Sequence, residues 1–156
     1  MENFFWNSTS LFAANVMKFI SNSEEETKNI AKELAKSLLP GDVVVLVGEL
    51  GSGKTTFTKG ICEFFGINGN EVSSPSFSLL NIYESEKAKI YHFDFYRLDK
   101  LDYVDTESFS EFVYDKKAIK VIEWNKLDLD PTLRTIFVKI KHLSENTREI
   151  EIDRDT

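Results

Sequence analysis

The stretch Gly48-Glu49-Leu50-Gly51-Ser52-Gly53-Lys54-Thr55-Thr56 constrains this chain more than any other. It fits the pattern G-x-x-x-x-G-K-[ST], a phosphate-binding loop. Such a loop needs a strand before it and a helix after it. Val43-Val44-Val45-Leu46-Val47 reads as a buried strand, and Phe57, Ile61, Phe64 and Phe65 recur at the spacing of one helix face. The glycines let the backbone curl so that successive N–H groups converge on an anion. The helix start adds partial positive charge. In this pattern Lys54 reaches the β- and γ-phosphates, and the Thr55 hydroxyl meets a magnesium ion. The competing reading is a plain glycine turn before a helix.

The chain of 156 residues is long enough for one domain with a substantial core. With 42 % hydrophobic and 29 % charged residues it is globular rather than disordered. A net charge of −7 argues against direct grip on a nucleic-acid backbone, which takes Lys and Arg to displace counterions. The single cysteine, Cys62, leaves no internal disulfide and fits a reducing cytoplasm. No apolar run approaches the ~20 residues of a membrane span.

Residues 1–22 carry Phe4, Phe5, Trp6, Leu11 and Phe12 without a regular period, and read as an extension ending in a short strand around Met17 to Ile20. Residues 23–156 read as the P-loop domain. Ser23 with Glu26 is a capping-box signature. The helix it opens repeats Ile30, Leu34 and Leu38, and is expected to run to Pro40-Gly41. After the glycine loop and its helix, four serines surround Pro75 within Val72 to Leu79. That loop reads either as a phosphate-facing element or as a polar connection.

Leu80 to Tyr83 and Ala88 to Phe95 read as a hairpin. In its second strand Tyr91, Phe93 and Phe95 face one way, and Ile90, His92 and Asp94 the other. An acid in such a strand is costly unless paired, solvated or beside a metal. Asp94 is therefore a candidate metal or water partner, or else a cap for the turn that follows; His92 reads as a hydrogen-bonded core residue. A helix is expected from about Thr106, with Phe109, Phe112 and Val113 on its buried face. Ala118 to Trp124 is an apolar strand closing on Glu123, a carboxylate placed to act on magnesium or its water. Thr135 to Lys141 and Arg148 to Ile152 alternate as a final antiparallel hairpin.

Asn125-Lys126-Leu127-Asp128 matches N-K-x-D, a guanine-gripping pattern of GTPases. Such a protein also needs an Asp-x-x-Gly between the two motifs, and Asp94 is followed instead by Phe95-Tyr96-Arg97. A small-molecule kinase on the same loop is a further alternative. It would need a lid with arginines, and between Thr56 and Arg134 only Arg97 is available.

Several segments occur in one order: Ser-Glu-Glu-Glu-Thr (23–27), Pro-Gly-Asp (40–42), the glycine loop, Ser-Pro-Ser-Phe-Ser-Leu (74–79), Tyr-His-Phe-Asp-Phe-Tyr-Arg-Leu (91–98) and Ile-Glu-Trp (122–124). Together they resemble the TsaE family, also called YjeE, ATPases of bacterial tRNA threonylcarbamoyladenosine synthesis. The resemblance implies an α/β fold: a single P-loop NTPase domain, with a mixed central sheet and helices on its faces. It implies ATP and Mg2+, cradled by Gly51, Ser52, Gly53, Lys54, Thr55 and Thr56. Thr55 and Glu123 would meet the metal, and Asp94 would lie beside the terminal phosphates. Lys54, Asp94 and Glu123 would carry the catalysis. The adenine would lie between Glu24 and Thr147. The serine–proline loop would respond to ATP. TsaB and TsaD are the partners so implied, with hydrolysis resetting their complex and tRNA met only through it. The chain departs from the family pattern at Ser76, where Thr is usual, and at Asn125, where Pro is common.

Overall fold

The computed structural model describes residues 7–8, 16–75, 78–97 and 109–154. The elements in chain order are β1 (Asn7–Ser8), β2 (Val16–Ser21), α1 (Glu24–Ala35), β3 (Val43–Val47), α2 (Lys54–Phe64), a 3-10 turn (Gly69–Glu71), β4 (Leu80–Glu84), β5 (Lys89–Asp94), α3 (Ser110–Val113), β6 (Ala118–Glu123), β7 (Thr135–His142) and β8 (Arg148–Arg154). The strands form one mixed sheet in the order β1-β2-β8-β7-β3-β6-β5-β4. Its centre is parallel: β3 pairs with β6 and β7, and β5 with β6. The outer pairings β4–β5, β7–β8 and β2–β8 are antiparallel. The predicted α/β class and both hairpins are therefore present.

The parallel strands are apolar because both faces of the sheet are covered. On one face α1 and α2 bury Ile30, Leu34, Phe57 and Ile61 against Val44, Leu46, Val121 and Val138. On the other, Tyr91, Phe93, Phe95 and Ile122 pack with Val113 of α3 and with Leu127, Leu129 and Leu133. The two helices of the first face meet closely at Gly60. A Cβ there would fall 2.6 Å from the Lys28 carbonyl oxygen and 2.7 Å from the Ala31 Cβ.

The capping box forms at α1: the Glu26 N–H donates to the Ser23 Oγ at 3.1 Å. The Glu26 carboxylate reaches one residue further back than the usual pattern and accepts from the Asn22 N–H at 2.9 Å. The helix stops at Ala35, short of the expected Pro40. The Ser37 hydroxyl and N–H both donate to the Leu34 carbonyl, at 2.9 and 3.0 Å, and draw the chain into a tighter turn. Leu38 is still buried beyond that turn.

The segment read from sequence as an extension supplies β2 to the sheet, with Met17 opposite Ile152 and Phe19 opposite Ile150. The expected strand around Met17 to Ile20 lies within it. Ser76, Phe77 and the expected helix start at Thr106 lie outside the described residues. Trp124, expected to end its strand, instead lies past it with φ +54. No helix among the described residues is long and apolar enough to cross a membrane.

Candidate functional site

The site lies where β3, β5 and β6 end together. Leu46 of β3 and Asp94 of β5 are both in register with Glu123 of β6. This ladder, rather than sequence proximity, sets the two acids side by side beneath the glycine loop.

Gly53 precedes α2 with φ +113, a left-handed conformation that side chains rarely adopt. It contributes no capping side chain, so the first-turn N–H groups of α2 have no side-chain acceptor there. This is the arrangement that receives an anion. Lys54 is buried, and its ammonium donates to the carbonyls of Gly48 at 2.6 Å and Glu49 at 2.9 Å. Burial lowers its pKa, while the charges of Glu123 and Asp94 pull it back up.

Thr55 Oγ1 donates to Glu123 Oε2 at 3.4 Å. The same Oε2 lies 2.5 Å from His92 Nε2 in the interior. Asp94 Oδ2 accepts from the Ser74 hydroxyl at 2.5 Å, and its Oδ1 accepts from the Tyr96 N–H at 2.9 Å. Asp94 thus caps the turn that follows its strand, and it also borders the cavity. His92 is a hydrogen-bonded core residue as expected, and it also holds Glu123.

These groups surround one cavity of about 480 Å³. Gly51, Gly53, Lys54, Thr55 and Thr56 form its loop side, Asp94 and Glu123 its strand-end side, and Glu24 borders it from α1. Ser52 and Thr147 are not among its lining residues. Ser52 turns its carbonyl to Arg148 Nε at 2.6 Å, and Thr147 Oγ1 donates to Asn22 Oδ1 at 3.1 Å beside the start of α1. The serine–proline loop reaches the cavity through Ser74.

Arg148 and Trp124 line this cavity without having been placed there from sequence. Arg148 is the first residue of β8, and only pairing of that strand across the sheet brings it to the glycine loop. Trp124 follows Glu123 directly, which was a usable signal. Asn125 of the N-K-x-D string is engaged with its own loop. Its Oδ1 accepts from the Leu127 N–H at 2.9 Å, and its Nδ2 donates to the Leu127 carbonyl at 3.1 Å. Asn125 and Lys126 border a separate cavity, with Val45, Val47 and Phe137.

The sequence pattern of the family described as threonylcarbamoyl adenosine biosynthesis protein TsaE matches residues 21–150. The chain belongs to the TsaE family. A TsaE of Aquifex aeolicus, named as a tRNA threonylcarbamoyladenosine biosynthesis protein, is 38 % identical over 136 residues, covering 86 % of this chain and 94 % of the relative. The TsaE of Bacillus subtilis is 36 % identical, covering 86 % and 83 %. The crystal structure of Bacillus subtilis YdiB superimposes with a TM-score of 0.68 at 32 % identity, covering 89 % and 85 %. In this TsaE-family chain the matched region includes the glycine loop, both strand-end acids and Arg148.

Proposed function

We propose that this chain acts in tRNA threonylcarbamoyladenosine biosynthesis as an ATP-binding and ATP-hydrolysing protein, resetting a TsaB–TsaD transferase complex between turnovers. The observation that carries the nucleotide reading is the convergence of Lys54, Thr55, Asp94 and Glu123 on one cavity at the ends of parallel strands. Family membership carries the pathway.

The residues present fit a magnesium nucleotide. The α2 start and the Lys54 ammonium are positive groups facing a cavity of suitable size. The Thr55 hydroxyl and Glu123 carboxylate are hard oxygen donors, the kind magnesium takes in small number beside phosphate and water. When bound, the metal nucleotide supplies a phosphoryl group activated toward water.

The chain's own part is to bind and orient. Lys54 would exchange its carbonyl partners for phosphate oxygens. Glu123, held from behind by His92, would fix the metal's position. Asp94, held by Ser74 and Tyr96, would orient groups near the terminal phosphate. Trp124 and Tyr96, whose rings lie 4.9 Å apart, line this side of the cavity. With a net charge of −7, contact with tRNA would fall to the partners.

Calorimetric titration with ATP and with GTP, each with magnesium, tests the site. ATP preference is the expected result, followed by faster hydrolysis when TsaB and TsaD are added. GTP preference would shift the base to Asn125–Asp128 and overturn the nucleotide assignment. Unchanged turnover with both partners present would overturn the resetting role.

A further inference from the structure

The buried His92 is engaged at both ring nitrogens. Nε2 lies 2.5 Å from Glu123 Oε2, and Nδ1 lies 3.1 Å from the Tyr83 hydroxyl. An imidazole is an expensive choice for a fully buried strand position unless both nitrogens are used. On the far side, the Tyr83 hydroxyl meets the backbone of Ser73 twice. It accepts from the N–H at 3.4 Å and donates to the carbonyl at 3.2 Å, and it also accepts from Asn81 Nδ2 at 3.3 Å. An unbroken set of side chains thus runs from the serine–proline loop through Tyr83 and His92 to Glu123 and Thr55.

We propose that His92 and Tyr83 are positioning residues that aim the Glu123 carboxylate and couple it to the loop at residues 72–75. This rests on the reading of Glu123 as the metal-side carboxylate. Glu123 Oε2 sits between Thr55 Oγ1 and His92 Nε2, so the imidazole sets how far the carboxylate reaches into the cavity. The loop is tied at two adjacent residues. Ser73 is held by Tyr83, and Ser74 by Asp94. His92 and Asp94 are alternate residues of β5, whose register fixes them against Val121 and Glu123 of β6. A shift of the loop therefore strains both acids together. Tyr83 has one proton and two acceptors, His92 Nδ1 and the Ser73 carbonyl. Moving the loop away leaves that proton to His92 alone.

Two readouts test this on the full chain: amide hydrogen exchange of residues 72–75 without ligand, and the magnesium half-saturation of ATP binding by calorimetry. His92→Gln keeps an amide nitrogen near the Nε2 position. It should hold magnesium half-saturation near the parent while exchange of the loop rises tenfold or more. His92→Asn keeps a polar atom near Nδ1 only, and should raise the half-saturation about tenfold. Tyr83→Phe should speed loop exchange tenfold. Glu123→Gln should change that exchange in the parent but not in the Tyr83→Phe background, the signature of coupling through the pair. Values within twofold of the parent in all variants would overturn the proposal. If the His92 variants fold poorly, the comparison of Glu123→Gln in the parent and in the Tyr83→Phe background decides: an equal change of loop exchange in both would overturn the proposal. A parent that binds no magnesium ATP would overturn the nucleotide reading, while the ligand-free exchange would still judge the coupling.

Discussion

The Trp124 ring lies across the Lys54 ammonium, with Nζ 4.5 Å from the ring centroid. The contact depends on the backbone at Trp124, whose φ of +54 turns the chain back as β6 ends. Non-glycine residues rarely hold that conformation, and doing so costs on the order of 1–2 kcal/mol. The packing of Trp124 on Lys54 and Tyr96 offsets this. The ring thus covers the one buried cation of the glycine loop.

Lys54→Ala removes that cation. ATP affinity should fall by at least tenfold to a hundredfold, the scale of a charge-assisted hydrogen bond at roughly 1.5–3 kcal/mol. Trp124→Leu should cost less, about 0.5–2 kcal/mol, because the ammonium itself stays and what is lost is the ring's contact with it and with Tyr96. Calorimetric titration with magnesium ATP checks both. Unchanged affinity in Lys54→Ala would remove the phosphate site from the glycine loop.

Glu123→Ala should keep ATP binding and lose hydrolysis, since the place proposed for Glu123 is at the metal and its water. It should also destabilise the fold by about 1–3 kcal/mol, because His92 Nε2 is left buried without its partner. Glu123→Gln keeps an acceptor for that nitrogen and should unfold nearer the parent temperature. Thermal unfolding of the two variants side by side, with partner-stimulated turnover, separates the two roles. Full turnover in either variant would take Glu123 out of the mechanism.

Gly60→Ala should destabilise despite alanine's better helix propensity, worth about 1 kcal/mol in an exposed helix. The new methyl would meet the Lys28 carbonyl and the Ala31 side chain at under 3 Å. Overpacking of this kind costs about 1–3 kcal/mol. A lower midpoint in urea is expected; a higher one would mean that α1 and α2 can separate freely.

Tyr91 Oη donates to Asp115 Oδ2 at 2.6 Å. That bond, with the Lys117 N–H, holds the Asp115 carboxyl below its ordinary pKa, and it helps push the Tyr91 hydroxyl up to about 12. The depressed acid stabilises above its unfolded pKa, and the contribution is lost as pH falls through the folded value. The raised phenol stabilises below its unfolded pKa of about 10, and the contribution is lost as pH rises through its folded value. Tyr91→Phe should therefore flatten both limbs of the unfolding temperature plotted against pH. Limbs as steep as those of the parent would mean that the pair contributes nothing.

Much of the site was legible because its loop is local. Gly51, Gly53, Lys54, Thr55 and Thr56 follow one another through a glycine turn into a helix start, so spacing along the chain suffices to place them at one side of the cavity. Asp94 and Glu123 were legible for another reason: an acid closing an apolar strand is costly, and the cost marks it. His92 was recognised as a core residue, yet its hold on Glu123 was not, because that contact depends on β5 and β6 lying in register. Arg148 was missed for the same reason. It reaches Ser52 only because β8 joins the sheet beside β7.

The sequence by itself determined the glycine loop, the strand and helix that flank it, the two candidate acids and the family, since each is written in short-range spacing and residue type. Only the tertiary structure decided which acid touches Thr55, that Trp124 covers Lys54, that Arg148 meets the loop, and that Val16–Ser21 belongs to the sheet. Those contacts join residues far apart in the chain. Strand order and register bring them together, and a linear pattern of residue types does not encode either one locally.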